Sequence, residues 1–166
     1  MKFVTHNIDL TIGDTESKRS EIKEYYNSTW TIYERLFQTL ISDDIFYERP
    51  QRLRHPLVFY FGHTASFFIN KLILSKQLTK RINPHFESLF AIGVDEMSWD
   101  DLNDTHYDWP SIEEVREYRN QVNIVVNKLI DETDFTLPID WESPMWVIMM
   151  GIEHEHIHLE TSSVLI

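Results

Sequence analysis

The sequence contains no cysteine, which excludes a framework of disulfide bonds. Basic residues are scarce, with 15 Lys and Arg against 27 Asp and Glu, and the formal net charge is −12. A protein of this charge is repelled by nucleic acid backbones and by anionic membranes, so we expect neither as a partner. Residues 1–10 lack the basic and apolar segments of a signal peptide, and we therefore expect a cytoplasmic protein.

The sequence also lacks a long uninterrupted apolar run. Its most apolar stretch, residues 57–74, is interrupted by Gly62, His63, Thr64, Ser66, Asn70 and Lys71. These polar positions argue against a membrane span, so the stretch predicts a buried helix. A hydrophobic content of 42% in 166 residues suffices for a single domain, residues 1–166, with a core of its own.

Helical periodicity accounts for most of the chain. It predicts four helices, at residues 16–40, 56–74, 111–132 and 143–166. Ser111 with Glu114 forms a capping box at the start of helix three, and Ser143 with Pro144 has the composition of a helix start. The apolar face of helix three is expected at Ile112, Val115, Tyr118, Val122, Val125 and Leu129. Since neither strand alternation nor an internal repeat is found, the sequence predicts an all-α fold, a four-helix bundle.

Two connecting segments have features of their own. Residues 81–110 form a long acidic loop between helices two and three, with a short helical turn expected at residues 86–90. This loop is interpreted either as a lid or partner surface, or as a solvated connection, and its aspartates lack EF-hand spacing. The loop before helix two carries Arg49, Arg52 and Arg54, which are either solvated or available to a carboxylate or a neighbouring domain.

Helix four changes from apolar to histidine-rich along its length. Residues 145–150 are apolar on every side, which indicates a helix that runs through the core. His154 and His158 follow, and residues four apart on a helix are separated by about 40° and about 6 Å of rise. Both imidazoles can therefore reach one metal ion. His156 cannot join them, because two residues correspond to a rotation of about 200°.

The histidines of helix four fit two kinds of metal chemistry. As H-E-x-x-H, the run is the signature of zinc metalloproteases, with Glu155 as general base and a third ligand from elsewhere in the chain. With a histidine from another helix, it forms a three-histidine face suited to iron, copper, nickel or zinc. His63 of helix two is the candidate, although a lone histidine in such a helix is more often a core residue. Surface histidines near a helix end are the remaining alternative.

Four stretches resemble the N-terminal DinB-like domain of the 5-histidylcysteine sulfoxide synthases of ovothiol biosynthesis. They are HPLVFYFGHTASFFINKL at 55–72, GVDEMSWDDL at 93–102, HYDWP at 106–110 and MGIEHEHIHLETSSVLI at 150–166. The ergothioneine-pathway sulfoxide synthases are more distant relatives with the same domain plan. The resemblance implies that His63, His154 and His158 bind iron. It also implies a supporting role for Glu160, and places His156 where arginine is expected.

The resemblance implies an oxygen-dependent, non-haem iron enzyme that joins the sulfur of cysteine to the imidazole ring of histidine and oxidises it to a sulfoxide. Fe²⁺ held by three neutral ligands keeps its charge and leaves positions for thiolate, oxygen and the second substrate, and Zn²⁺ or Ni²⁺ can substitute for it. Members of the family continue into a sulfatase-modifying-factor-like domain and often a methyltransferase domain. We expect this chain to be an N-terminal part of such an enzyme, or a short relative, with little synthase activity alone.

Two further functions stay open. A zinc-dependent DinB-like hydrolase or thiol transferase would use the same three histidines, and metal analysis would separate it from an iron enzyme. A non-catalytic interaction module would contain the histidines only as packed side chains. In that case, replacement of His154 by alanine would change neither metal content nor thermal stability.

Overall fold

The computed structural model describes residues 7–91 and 107–166, and all regular secondary structure within these ranges is helical. The helices are α1 (Thr15–Phe37), a 3₁₀ helix (Asp43–Tyr47), α2 (Leu57–Leu74), α3 (Pro84–Leu89), α4 (Ile112–Glu132) and α5 (Pro144–Leu165). α1 and α2 each pack against both α4 and α5, so the four long helices form a bundle. This confirms the predicted fold. Half of the acidic loop, residues 92–106, lies outside the described residues and includes the similarity at 93–102.

Side chains at the helix starts explain where the helices begin. Asp14 accepts a hydrogen bond from the Ser17 backbone at the start of α1, and Ser111 forms the predicted capping box with Glu114. Ser143 accepts from the backbone of the second helical residue of α5. The end of the first helix was predicted less well, because α1 stops at Phe37 and a 3₁₀ helix follows where the sequence predicts only a loop.

α2 is the most apolar helix of the bundle. Among the described residues it alone has the length and composition of a membrane span, with a mean hydropathy of 1.3 over residues 57–74. However, 78% of this stretch is buried inside the protein. The burial confirms the expected core helix, since a helix that is apolar all round can be covered by its neighbours in a bundle.

α4 contributes an apolar face that includes one arginine. Its buried residues are Ile112, Val115, Tyr118, Arg119, Val122, Val126 and Ile130. Val125 and Leu129 were expected on this face but are only partly buried, because a helical turn of about 3.6 residues places them to one side of its centre. Arg119 is only 1% exposed, a burial that the apolar pattern did not predict.

Two glycines allow aromatic rings to pack closely against helix backbones near the histidines. A Cβ atom at Gly62 of α2 would lie 2.5 Å from the ring of Phe90, and one at Gly151 of α5 would lie 2.2 Å from the ring of Phe68. Both rings are fully or almost fully buried. The glycines therefore set how closely α2 approaches Phe90 and how closely α5 approaches α2.

Candidate metal centre

The three histidines implied by the sequence meet inside the bundle. His63 lies on α2, and His154 and His158 lie one turn apart on α5. The Nε2 atom of His154 is 3.2 Å from Nε2 of His63 and 3.1 Å from Nε2 of His158. One ring nitrogen of each residue lies within 4.8 Å of the others, which makes the three a group that could hold a metal ion.

The spacing of these nitrogens fits a metal ion. For metal–nitrogen bonds of about 2.1 Å, neighbouring ligands are about 3.0 Å apart in an octahedral site and about 3.4 Å apart in a tetrahedral site. The two Nε2 separations, 3.2 and 3.1 Å, fall between these values. The spacing is therefore suited to a divalent cation, without distinguishing six-coordinate iron from four-coordinate zinc.

The orientation of His63 is set by a backbone carbonyl. Its Nδ1 lies 2.6 Å from the carbonyl oxygen of Phe90, and its ring stacks on Phe59 with the ring planes 14° apart. Since a carbonyl only accepts hydrogen bonds, Nδ1 must carry the proton. In the neutral imidazole, Nε2 then presents a lone pair to the other two histidines, as in many metal sites.

Hydrogen bonds among the three rings do not account for the cluster. Nε2 of His63 can only accept, and Nε2 of His154 can donate one proton to His63 or accept one from His158. At most one of the two short contacts is therefore a well-aligned hydrogen bond, because a single proton at Nε2 of His154 cannot point at both neighbours, and a lone pair there faces the lone pair of His63. A cation bound by all three lone pairs removes this conflict, so the donor set fits a metal.

Aromatic side chains cover part of the remaining ring surfaces. The ring of His154 stacks on Phe67 at a centroid distance of 3.6 Å, and the ring of Tyr60 lies 6.3 Å from that of His158. The Nδ1 atoms of His154 and His158 are buried and have no hydrogen-bond partner within the part of the chain that the structure describes. The site thus combines an apolar wall with nitrogen donors that converge on one point.

All three histidines are neutral at physiological pH in the absence of metal. Burial is the main cause, and it lowers the pKa of His63 to about 4, that of His154 to about 2 and that of His158 to about 3. Repulsion between the protonated rings adds to the effect for His154 and His158. Neutral imidazole is the form that binds metals, so the cluster needs no deprotonation before it can act as a ligand set.

We expect the free energy of unfolding of the metal-free protein to fall as the pH is lowered from 6.5 to about 4. In this window the histidines bind protons in the unfolded chain but not in the folded cluster. The free energy of unfolding therefore falls by up to about 1.4 kcal/mol per pH unit for each histidine. Glu155 has the opposite effect, because burial raises its pKa to about 7 and it binds a proton in the folded state first. Its contribution to the free energy of unfolding offsets that of roughly one histidine. Urea unfolding at several pH values tests this, and a His154→Gln variant should show a smaller slope.

Glu155 does not take the general-base position of a zinc metalloprotease. Its side chain is fully buried, and Oε1 accepts hydrogen bonds from Thr64 Oγ1 and from Arg119 Nη2, both at 3.2 Å. The carboxylate is thus held between helices instead of facing a position where it could activate water. The metalloprotease interpretation of this residue is wrong for the observed structure.

Arg119 is a residue near the site that the sequence interpretation missed. It reaches Glu155 across the bundle, and its charge is also met by Glu34 of α1 at 2.5 Å. A signal was present, since Arg119 stands in line with Val115 and Val122 on the apolar face of α4. A charged residue in such a position requires a buried partner.

The other polar residues of α5 lie away from the three histidines. His156 faces α1, where Nε2 is 2.8 Å from Thr29 Oγ1 and the ring stacks on Tyr25, which confirms that it points to another side of the helix. Glu160 is exposed, and its carboxylate has no hydrogen bond or ion pair within the described ranges. No contact of the Glu160 carboxylate therefore supports the role expected of this residue.

A cavity adjoins His154, and a basic side chain lies near His158. The cavity has a volume of about 550 Å³ and is lined by Asn7, Ile8, Leu10, Phe67, Trp146, Met149, Met150, Glu153, His154 and Ile157. Arg54 is exposed, and its charge lies near enough to His158 to contribute to the lowered pKa of that residue. Ligand-sized space and a positive charge are thus both present beside the histidines.

Comparisons with known proteins agree with the helical bundle. Residues 25–162 match the DinB superfamily. The chain is similar to Ergothioneine biosynthesis protein 1 of Neurospora crassa, at 25% identity over 141 residues, which are 82% of this chain and 16% of that protein. The protein of the same name from Schizosaccharomyces pombe is 28% identical over 136 residues, 74% of this chain and 16% of its own length. The chain thus spans about one sixth of these relatives.

Proposed function

Because this chain belongs to the DinB superfamily and brings three histidines together in its interior, we propose that it is the metal-binding domain of a non-haem iron, oxygen-dependent sulfoxide synthase. His63, His154 and His158 are the proposed iron ligands. The proposed reaction joins the sulfur of cysteine to the imidazole ring of histidine in ovothiol biosynthesis. Similarity to two proteins of ergothioneine biosynthesis supports a role in sulfur–imidazole chemistry.

The observation that carries the proposal is the convergence of the three Nε2 atoms in a buried, apolar setting. Hydrogen bonding alone leaves one of the short contacts unfavourable, whereas a shared cation satisfies both. Three neutral ligands leave the charge of a divalent ion uncompensated, which favours binding of an anionic thiolate. An acidic ligand in place of one histidine would weaken this preference.

The proposed reaction balances with dioxygen as the only oxidant. Formation of the carbon–sulfur bond removes one hydrogen from the thiol and one from the imidazole ring, with two electrons, and oxidation of the sulfur supplies two more. One oxygen atom enters the sulfoxide and the other leaves as water. When bound, Fe²⁺ supplies the redox chemistry by which dioxygen carries out this four-electron oxidation.

The protein's own residues would orient the metal ligands and bind part of the substrates. The carbonyl of Phe90 fixes the ring of His63, and the rings of Phe59 and Phe67 shield the imidazoles from water. The cavity beside His154 is large enough for an amino acid, and Arg54 offers a charge for a substrate carboxylate. We assign the other substrate contacts to a further domain, and place the reaction in the cytoplasm.

Nitrosyl spectroscopy of the iron-loaded chain tests the proposal. We expect the chain to bind one equivalent of Fe²⁺ under anaerobic conditions, as measured by metal analysis after gel filtration. Nitric oxide then gives an electron paramagnetic resonance signal from the iron, and cysteine should change that signal by thiolate binding. Serine, which has a hydroxyl in place of the thiol, is the matched control ligand and should leave the signal unchanged.

Two results would contradict the proposal in different ways. Failure to bind iron would contradict the proposed metal site, whereas an iron signal that does not respond to cysteine would contradict the proposed thiol substrate. We also expect the chain alone to form little or no sulfoxide from cysteine, histidine and oxygen. Efficient turnover would show that the assignment of substrate contacts to a further domain is wrong.

A zinc-dependent hydrolase or thiol transferase is the second candidate function. Its supporting observation is the Nε2 separation of 3.2 Å between His63 and His154, which lies midway between octahedral and tetrahedral spacing. Zinc with three histidines and one open position is a common catalytic arrangement. Because a site of three imidazoles binds Zn²⁺ more tightly than Fe²⁺ whatever its function, activity of the metal-loaded chain, and not metal retention, separates the two candidates. Hydrolysis or thiol transfer by the zinc-loaded chain would favour the second.

A further inference from the structure

The residues that directly follow two of the proposed ligands are joined through one buried arginine. Thr64 follows His63 on α2, and Glu155 follows His154 on α5. Arg119 of α4 donates from Nη1 to Thr64 Oγ1 at 2.9 Å and from Nη2 to Glu155 Oε1 at 3.2 Å. Thr64 Oγ1 in turn donates to Glu155 Oε1 at 3.2 Å, which closes a ring of three hydrogen bonds across three helices.

Contacts on its other sides hold Arg119 in place. Nη1 also donates to the carbonyl of Phe61 at 2.6 Å, and Nε donates to Glu34 of α1 at 2.5 Å. The guanidinium lies 4.2 Å from the centre of the Trp30 ring and 4.5 Å from that of Phe61. Because α1 and α2 fix the arginine independently of α5, it can act as a rigid reference point for Glu155.

The remaining contacts that the structure gives between α2 and α5 near the site are mostly apolar. One example is the ring of Phe68, which lies against the backbone of Gly151. Apolar packing has no strong directional preference, whereas hydrogen bonds to a buried guanidinium restrict both distance and angle. Neighbouring residues of a helix rotate together, so a bond that fixes Glu155 also fixes the direction of His154.

We propose that Arg119, Thr64 and Glu155 are positioning residues for the metal centre, a proposal that rests on the proposed metal site. They hold α2 and α5 at the rotation and separation that bring Nε2 of His63 and Nε2 of His154 to 3.2 Å. Their hydrogen bonds act on the ligands through the neighbouring backbone, and none of the three side chains is itself a ligand. Loss of the ring of hydrogen bonds would make the positions of the histidines less fixed without removing a metal ligand.

Isosteric variants measured with Zn²⁺ and Co²⁺ test this inference. Thr64→Val and Glu155→Gln keep the side-chain volume but break or weaken the ring of hydrogen bonds, and each should lower the metal affinity by about 10-fold. The absorption spectrum of bound Co²⁺, which reports ligand geometry, should change as well. Thr64→Ser, which retains the hydroxyl, should restore both properties. Competition with a chromogenic chelator gives the affinity.

Thr29→Val is the matched control. It removes a buried threonine hydroxyl on α1 that contacts His156 of α5 and lies outside the ring of hydrogen bonds, so it should reduce stability against urea without a matching loss of metal affinity. Wild-type affinity and Co²⁺ spectra in both Thr64→Val and Glu155→Gln would overturn this inference while leaving the metal site intact. Equal affinity losses in the Thr29 variant would also overturn it. Absence of metal binding by the wild type would overturn the proposed function first.

Discussion

Replacing His154 by alanine is expected to remove high-affinity metal binding from this chain. His154 contributes the nitrogen that is close to both other ligands, at 3.2 Å from His63 and 3.1 Å from His158. Structural zinc sites with four ligands bind with about 10–16 kcal/mol, so one ligand contributes about 3 kcal/mol. The loss corresponds to a decrease on the order of 100-fold in affinity. Competition of Zn²⁺ between the protein and a chromogenic chelator measures it.

His156→Ala is the control for this prediction, because it removes the same side chain from the same helix two positions away. His156 hydrogen-bonds to Thr29 and stacks on Tyr25, and its loss should cost about 1 kcal/mol of stability. Its metal affinity should remain that of the wild type. Equal affinities in the two alanine variants would mean that the three histidines are only packed side chains, as in a non-catalytic module.

The long helices could be predicted because local signals specify them. The capping box of Ser111 and Glu114 and the Ser143–Pro144 start are both found where the sequence predicts them. Signals that depend on packing were weaker. The 3₁₀ helix at Asp43–Tyr47 has no side-chain cap at its start, and the buried face of α4 continues through Val126 instead of Val125. Such details depend on what a helix packs against, which one segment alone does not specify.

In the candidate site, too, local features could be predicted from the sequence, whereas contacts between helices could not. The spacing of His154 and His158 on one helix is a local property and predicted their proximity. The role of His63 followed from the resemblance, since residues 63 and 154 are far apart in the chain. The contacts of Glu155 could not be read from its position in H-E-x-x-H, because its partners come from α2 and α4. Only a charged residue on the apolar face of α4 indicated that such a partner was needed.

Replacing Arg119 by methionine is expected to give the largest loss of stability among single substitutions at this network. Methionine keeps much of the apolar contact with Trp30 and Phe61 but leaves the buried carboxylate of Glu155 without its cation. Glu34 would lose its partner as well. Removal of one partner from a buried ion pair costs about 3–5 kcal/mol, and urea unfolding of the metal-free protein measures the loss.

Arg116→Met is the matched control, since it makes the same substitution one turn away on the same helix. The side chain of Arg116 is 40% exposed and pairs with Asp43 at 3.7 Å, so we expect a loss below about 1 kcal/mol. A second variant isolates the cause. Adding Glu155→Met to Arg119→Met removes the uncompensated carboxylate and should recover part of the stability, because apolar replacement of a buried pair is often tolerated. Similar losses in the Arg116 and Arg119 variants, or no recovery in the double variant, would mean that burial of Arg119 stabilises the bundle by its volume alone.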